Sequence, residues 1–303
     1  MRFRPLGVSG RVVSVLTLAL ADSPTRNRPQ EWEALVYAAL ENGINSFEVI
    51  GRHPNISEGL ARAIHAIERG LVHIAWRLGN SYDAEGYPAR DFSADGLQSV
   101  TRSILTRTGF SYLDAIVLDE PRARELNADA LTRLKEIRAA GHVRMLGVAG
   151  QDDAIDAYIS TGVFNLLHMP FNLTSGWKER MRQQAAMDHG MAVVAYDFYP
   201  ERLRGGQTAQ SPKAGANKPA HPLADAGTYA FLVKTPRWSG EGICLAYALT
   251  NPAIASVQLV TDRPERLAAL APVVENDLPP GVSAQIEMAR FGSAALPDRG
   301  RRA

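Results

Sequence analysis

Seven short apolar segments, separated by longer amphipathic ones, constrain the fold of this chain more than any other feature. They cover residues 45–48, 72–77, 115–119, 144–148, 165–169, 192–196 and 255–259, and most of their residues are apolar. Strands buried on both faces have this pattern, because helices cover both faces of a parallel sheet. The order of segments predicts a parallel sheet surrounded by helices.

The intervening segments have helical periodicity. In one of them, behind Pro29, the apolar side chains share a helical face: Trp32, Leu35, Val36, Ala39 and Leu40. Another such face carries Leu97, Val100, Ile104 and Leu105. Asn127 is placed to cap a third helix and Gly141 to end it.

The number of strands decides between two α/β architectures. Eight βα units close a barrel, whereas six favour an open, doubly wound sheet. No strand–helix turn carries the glycine fingerprint of the dinucleotide-binding open sheets. We therefore expect a (β/α)8 TIM barrel, whose eighth strand lies in the initial region or is only weakly marked in the sequence. In the initial region, the apolar run at residues 12–21 favours a strand or hairpin over a signal peptide.

Length and composition suit one barrel. We expect a single domain over residues 1–303, a long mobile loop at 202–227 and a flexible tail at 293–303. The net charge of +1 gives no indication of a nucleic-acid partner. No apolar stretch reaches the length of a membrane span, and we expect a cytoplasmic protein without membrane contact.

Cysteine and histidine usage points to neither disulfides nor metal. The one cysteine, Cys244, lies in an apolar helical pattern, where a buried structural thiol is expected. The seven histidines are scattered without metal-ligand spacing. We expect no metal site.

Several apolar strands end in a polar or ionisable residue. These residues are Glu48, Arg77, Asp119, His168 and Tyr196. The C-terminal ends of parallel barrel strands converge on one mouth, where active sites are built. A network of rim salt bridges would be a purely structural explanation. The coincidence of several such residues, with His53 on the loop after Glu48, favours a polar pocket that binds a small molecule.

The same segments resemble the aldo-keto reductases over nearly the whole chain. Residues 4–10 with Val13-Ser14 are similar to the family's N-terminal β-hairpin. The barrel motifs that carry the resemblance are Gly43-Ile44-Asn45-Ser46-Phe47, Ser57-Glu58, Tyr112-Leu113-Asp114, residues 141–148, Asn251-Pro252 and residues 264–267. The resemblance implies a (β/α)8 barrel with an N-terminal β-hairpin.

Members of this family reduce carbonyl compounds with NADP(H) through an Asp–Tyr–Lys–His tetrad. The resemblance places Glu48 at the aspartate position, His53 at the tyrosine, Arg77 at the lysine and Asp119 at the histidine. None of the four family residues is kept. All four replacements are ionisable, and we expect two nearby carboxylates to favour protonated His53, making it a candidate proton donor or acceptor.

The resemblance also assigns cofactor contacts. Tyr196 matches the aromatic residue that stacks on nicotinamide, Thr261 and Arg266 match contacts to the 2′-phosphate, and His168 stands at the family's sixth-strand glutamine, a cofactor-binding position. Other positions depart from the family: residues 17–20 lack its glycines, Ala149-Gly150 replaces a polar pair, Asp262 adds negative charge and Leu270 replaces a polar residue. NADP(H) remains a candidate cofactor whose binding is in question.

Three hypotheses follow. In the first, the barrel is not an ordinary carbonyl reductase and binds a ligand, or performs altered acid/base chemistry, at its mouth. In the second, it is an NADP(H)-dependent oxidoreductase that uses His53 as proton donor. In the third, it is a non-catalytic interaction protein. Loss of the tetrad and of the carboxamide contacts favours the first, and the sequence leaves open whether the chain is an enzyme.

Overall fold

The computed structural model of the chain describes residues 1–82, 88–122, 124–206, 229 and 231–294. Its strands, in chain order, are β1 (Phe3–Pro5), β2 (Val12–Ser14), β3 (Leu16–Leu20), β4 (Ser46–Val49), β5 (His73–Leu78), β6 (Asn80–Tyr82), β7 (Pro88–Arg90), β8 (Leu113–Asp119), β9 (Val143–Ala149), β10 (Leu166–Pro170), β11 (Ala192–Tyr196) and β12 (Ile254–Val260).

The helices lie between and after these strands. They are α1 (Pro29–Glu41), α2 (Pro54–His65), α3 (Ala94–Thr108), α4 (Ala128–Ala139), α5 (Ala154–Ile159), α6 (Trp177–Asp188), α7 (Phe231–Lys234), α8 (Gly240–Thr250), α9 (Pro264–Leu270) and α10 (Pro280–Ala294). Short 3-10 helices occupy Gly7–Ser9, Arg69–Leu71, Glu201–Gly206 and Ala271–Glu275.

Eight of the strands form a closed parallel barrel in the order β3-β4-β5-β8-β9-β10-β11-β12, with β12 paired to β3. Strands β1 and β2 form a separate antiparallel hairpin before the barrel, and β6 pairs with β7 beyond the end of β5. The predicted (β/α)8 barrel with an N-terminal hairpin is confirmed.

The eighth strand lies in the initial region, one of the two expected alternatives, within the apolar run at residues 12–21. This run contains two strands, because the chain passes from β2 in the hairpin into β3 in the barrel. The backbone at Val15, between them, accepts a hydrogen bond from the Val257 amide at 2.8 Å. All five residues of β3 are buried, which explains why alternation alone did not separate the two strands.

The barrel residues form two apolar clusters because side chains alternate between the two sides of each strand. Residues that face outward, such as Leu18, Phe47 and Ile74, pack in one cluster with the helices. Those that face inward include small residues, such as Ala75 and Ala115. Small interior side chains leave room for large polar ones near the mouth.

Two predicted helices have the expected ends and faces. Trp32, Leu35, Val36 and Ala39 are buried on α1, and Asn127 caps α4 by accepting a hydrogen bond from the Ala130 amide at 2.8 Å. On α3 the prediction is wrong at one residue, since Val100 is 37% exposed. That helix buries Thr101 instead, whose hydroxyl donates to the Leu97 carbonyl at 2.7 Å and so satisfies its own polar group.

The predicted loop at residues 202–227 begins within the 3-10 helix Glu201–Gly206, and residues 207–227 lie outside the described residues. The predicted flexible tail at 293–303 begins inside α10, which extends to Ala294. The rest of that tail also lies outside the described part of the chain. Of the helices described, none has both the length and the apolar character needed to cross a bilayer.

We expect the close contact between α1 and α2 to depend on Gly59. A methyl group at Gly59 would overlap the Pro29 carbonyl oxygen and lie 2.5 Å from Trp32 Cβ. Gly59→Ala should therefore lower the free energy of unfolding by about 1–3 kcal/mol, measured by urea denaturation.

Gly281 on α10 provides the matched control, because a Cβ there meets no atom within 4 Å. Gly281→Ala should be neutral or stabilise the protein by up to about 1 kcal/mol. Equal effects of the two substitutions would contradict this account of the α1–α2 contact.

Candidate functional site

The alternation of side chains along the barrel strands brings a polar cluster to the C-terminal end of the barrel. On β4, β5 and β8, the side chains of Ser46, Ala75 and Val117 face the barrel interior. Because side chains alternate along a strand, the residues two positions later face the interior as well; these are Glu48, Arg77 and Asp119. Because β4 pairs with β5 and β5 with β8, their side chains come from neighbouring strands. The predicted convergence of these three residues at the mouth agrees with their contacts.

Arg77 forms an ion pair with Glu48 inside the barrel. Its Nε and Nη2 both lie 2.8 Å from Glu48 Oε1. The Glu48 side chain is 0% exposed and that of Arg77 is 13% exposed, so water contributes little to solvating either charge. Two donors on one oxygen fix the orientation of the guanidinium group.

Asp119 and Tyr196 border Arg77 on its outer side. Arg77 Nη1 donates to Asp119 Oδ1 at 3.2 Å, and the guanidinium carbon lies 5.8 Å from the centre of the Tyr196 ring. The carboxylate of Asp119 is 23% exposed, which places the pair at the water boundary. Arg77 thus contacts two carboxylates, the buried one of Glu48 and the partly exposed one of Asp119.

The second oxygen of Glu48 is bound from the opposite wall. Glu48 Oε2 accepts from Gln258 Nε2 at 2.5 Å and lies 3.1 Å from His168 Nδ1. A carboxylate can only accept here, so the proton of this contact belongs to Nδ1. Arg77 Nη2, 3.4 Å from the same nitrogen, is then a neighbouring donor and not a partner. His168 Nε2 is buried and has no partner among the described residues.

These contacts keep Glu48 ionised. Burial by itself raises the pKa of this carboxyl, but the positive charge of Arg77 and the contact with His168 outweigh it and lower the pKa to about 2. The two carboxylates raise the pKa of Arg77 against the opposing effect of burial. Burial also raises the pKa of Tyr196, with Arg77 opposing and nearby carboxylates reinforcing it. The cluster therefore holds fixed charges at neutral pH.

His53 lies at the same mouth but outside this cluster. It is the N-cap of α2, it is exposed, and its Nδ1 accepts from the Asn55 amide at 3.2 Å. The Asp22 carboxylate accepts from the His53 backbone amide at 2.9 Å. The contacts of the two Glu48 oxygens are with Arg77, His168 and Gln258 and not with the His53 imidazole.

A cavity of about 540 Å³ joins His53 to Arg77 and Asp119. It lies between the ends of β4 and β5 and the helices α2 and α3, and its wall includes Trp76 and Val100. His53 is the only histidine among the described residues that line it. With Nδ1 acting as an acceptor, neutral His53 carries its proton on Nε2.

The residues expected to bind the 2′-phosphate have partners within the chain. Arg266 donates through Nε to Glu241 Oε1 at 2.9 Å and through Nη1 to the Val260 carbonyl at 2.6 Å, and its Nη2 also contacts Glu241. Thr261 Oγ1 accepts from the Arg263 amide at 3.1 Å. The guanidinium charge at this position is neutralised before any ligand arrives.

Asp262, next to Thr261 in the chain, also has hydrogen-bond partners within the protein. Asp262 Oδ2 accepts from the hydroxyls of Ser23 and Thr25 at 2.6 and 2.8 Å, which joins the end of β12 to the loop after β3. Leu270 is 3% exposed in the core. Among the described residues, no group of three or more His, Cys, Asp or Glu side chains could hold a metal ion. Cys244 is buried, and burial raises the pKa of its thiol.

Gln258 was not among the predicted site residues, and His168 was assigned to another role. Gln258 and Ser256 are polar residues two apart in an otherwise apolar strand, which indicates that both face the barrel interior. Ser256 shares a buried hydrogen bond of 2.7 Å with Thr17. The same spacing could have identified Gln258 as a partner for a buried charge.

The chain is similar to known proteins in both sequence and fold. A family model described as the aldo/keto reductase family matches residues 17–290. A search of curated proteins finds no significant match. The holo form of aldo-keto reductase AKR11C1 from Bacillus halodurans superposes with a TM-score of 0.78 at 18% identity, over 100% of both chains.

Two further structures are similar. The apo form of the same Bacillus halodurans protein gives a TM-score of 0.72 at 17% identity, again over 100% of both chains. A Pseudomonas aeruginosa protein assigned as an aldo-keto reductase gives 0.64 at 18% identity, covering 89% of this chain and 93% of its own. At such low identity these likenesses establish the fold alone.

We expect Arg77→Met to destabilise the protein strongly, because it leaves Glu48 charged and buried without its main partner. The loss in free energy of unfolding should be about 3–5 kcal/mol. Arg62→Met removes the partner of Glu58 in an exposed pair on α2 and should cost at most about 1 kcal/mol. Similar losses for both variants, measured by urea denaturation, would refute a structural role for the buried pair.

The stability that Glu48 contributes should disappear in acid. Its folded pKa of about 2 lies below the ordinary value of 4.5, so the ionised carboxylate stabilises the fold above pH 4.5. As the pH falls from about 4.5 to about 2, wild type should lose on the order of 3 kcal/mol more than Glu48→Gln. Glu58→Gln, at the exposed pair, should follow wild type across this window. Parallel pH curves for wild type and Glu48→Gln would contradict the assignment.

Proposed function

Because the chain belongs to the aldo/keto reductase family, we propose that its barrel mouth binds a small molecule without performing ordinary NADP(H)-dependent carbonyl reduction. The family generally uses NADP(H), and the proposal concerns how this member departs from it. The resemblance expects Asp, Tyr, Lys and His at four positions, and this chain has Glu48, His53, Arg77 and Asp119 there.

The observation that carries the proposal is the fixed charge of Arg77. Carbonyl reduction needs a group at the mouth that delivers a proton to the developing alkoxide. Arg77 retains its proton at any physiological pH, since Glu48 and Asp119 raise its pKa further. Glu48, with a pKa of about 2, has no proton to give at neutral pH. The buried cluster thus supports binding and orientation and argues against proton transfer.

The cofactor positions support the same proposal. A 2′-phosphate at Arg266 would have to compete with Glu241, which already binds two guanidinium nitrogens. Asp262 would add a negative charge beside it, held in place by Ser23 and Thr25. His168 directs Nδ1 to Glu48, whereas the resemblance expects a cofactor contact at this position. These residues do not fit NADP(H), and no step is assigned to it.

His53 is the candidate for altered acid/base chemistry. It lines the same cavity as Arg77 and Asp119, its side chain is exposed, and its neutral form presents Nε2–H. A bound ligand held near Arg77 could exchange a proton with this group. The same geometry keeps the alternative of an oxidoreductase that uses His53 as donor open to experiment.

The test follows Trp76 fluorescence, because Trp76 lines the mouth cavity. We expect no saturable response to NADPH or NADP+ at millimolar concentration. With propionaldehyde and propionate as probes, we expect a saturable response that Val100→Phe abolishes by filling the cavity. Val233→Phe, an equally large change at an exposed site on α7, should leave the response intact.

The four tryptophans of the chain require one control, a Trp76→Phe variant that assigns the signal. Saturable NADPH binding in the micromolar range, about −8 kcal/mol, would overturn the proposal. It would favour the oxidoreductase, for which His53→Gln should then abolish aldehyde reduction. No response to either small probe would favour the non-catalytic interaction protein.

A further inference from the structure

A second cavity lies at the opposite end of the barrel from the mouth. Its volume is about 450 Å³, and the N-terminal hairpin, the start of β9, the end of α4 and the residue before β10 form its wall. Three of its lining side chains are the arginines Arg11, Arg138 and Arg144. The described residues that line it include no carboxylate.

Arg144 is held in place by stacking. Its guanidinium carbon lies 3.7 Å from the centre of the Tyr112 ring, and its closest carboxylate oxygen, on Asp114, is 3.7 Å from Nη1. That distance is too long for a hydrogen bond. Within the described part of the chain, the Arg144 guanidinium donates no hydrogen bond. Stacking thus orients the planar group and leaves its N–H edges available to an acceptor.

Arg138 and Asn165 add donors to the same wall. Arg138 Nη1 donates hydrogen bonds to Asn165 Oδ1 at 3.2 Å and to the Val163 carbonyl at 3.4 Å. Asn165 Oδ1 also accepts from the Leu146 amide at 3.2 Å. These contacts fix both side chains through Nη1 and Oδ1. Of the remaining donors, Arg138 Nη2 and Asn165 Nδ2 have no hydrogen-bond partner in the described residues.

The local charge is positive. One buried carboxylate, Asp114, lies 3.4 Å from Arg11, 2.7 Å from Arg69 and 3.7 Å from Arg144, so it cannot neutralise all three. The same charged groups act on the pKa of His73, at the start of β5. Burial lowers its pKa to about 4, and Arg11 and Arg69 reinforce this against the opposing effect of Asp114.

We propose that this basal cavity binds a small oxyanion, the phosphate or carboxylate group of a metabolite, between Arg144, Arg138 and Arg11. Guanidinium groups bind both oxyanions through paired N–H donors, and these donors are already oriented by Tyr112 and Asn165. The cavity is separate from the mouth, so the inference does not depend on the proposed function. A ligand here would link the N-terminal hairpin to β9 and α4.

The experiment is calorimetric titration of the full-length protein at constant ionic strength, with inorganic phosphate in one arm and citrate in the other. We expect saturable binding in at least one arm, and the arm that responds identifies phosphate or carboxylate as the recognised group. Arg144→Gln should weaken that binding by about tenfold or more. Arg144→Lys, which keeps the charge without the planar fork, should weaken it by less.

Arg102→Gln on α3 is the matched control, since it removes the same charge from an exposed site elsewhere. It should leave the dissociation constant unchanged. Heats that never saturate in either arm would overturn the proposal. If Arg102→Gln weakened anion binding as much as Arg144→Gln, the effect would come from the overall charge of the protein and not from this cavity. If Arg107→Gln weakened binding and Arg144→Gln did not, the anion would bind at the mouth. Thermal unfolding without ligand shows whether each variant is folded.

Discussion

The buried ion pair between Arg77 and Glu48 is the interaction on which the mouth of this barrel depends. A carboxylate with no exposed surface is unfavourable unless each oxygen is bound. Arg77 binds one oxygen of Glu48, and Gln258 and His168 bind the other. These partners come from three strands spread around the barrel, so closure of the sheet is a condition for satisfying the charge. Small interior residues such as Ala75 provide the space that the guanidinium needs.

The same pair limits the chemistry available at the mouth. A proton donor must lose and regain its proton near the working pH, whereas this cluster is stabilised by keeping each charge constant. Asp119 reinforces the effect by adding a second acceptor to Arg77. His53 remains outside the cluster and is exposed to solvent. The fixed charge of Arg77 and the candidate acid/base residue His53 are therefore on different elements, β5 and the N-cap of α2, that share one cavity.

The sequence predicted the strands and the meeting of Glu48, Arg77 and Asp119, because both follow from local patterns. A short apolar run predicts a strand, and parallel strands end at one edge. It could not predict which acceptor each donor selects, since that depends on side-chain geometry across the barrel. His168 therefore received a cofactor role, Gln258 was missed, and the pairing of Arg266 with Glu241 was not foreseen. Val100 showed the limit of helical periodicity, because an apolar residue on the expected face lines a cavity instead.

The two ends of the barrel show that the number of carboxylates near an arginine decides what that arginine can do. At the mouth, Arg77 has Glu48 and Asp119 within hydrogen-bond distance, and its charge is used within the fold. At the base, Asp114 is shared by Arg11, Arg69 and Arg144, and positive charge remains. Because an arginine cannot release its proton, such an excess must be balanced by solvent or by an anion. An anionic group is therefore expected to bind more strongly at the base, where carboxylates are fewest, than at the mouth, where the ionisable residues are most concentrated.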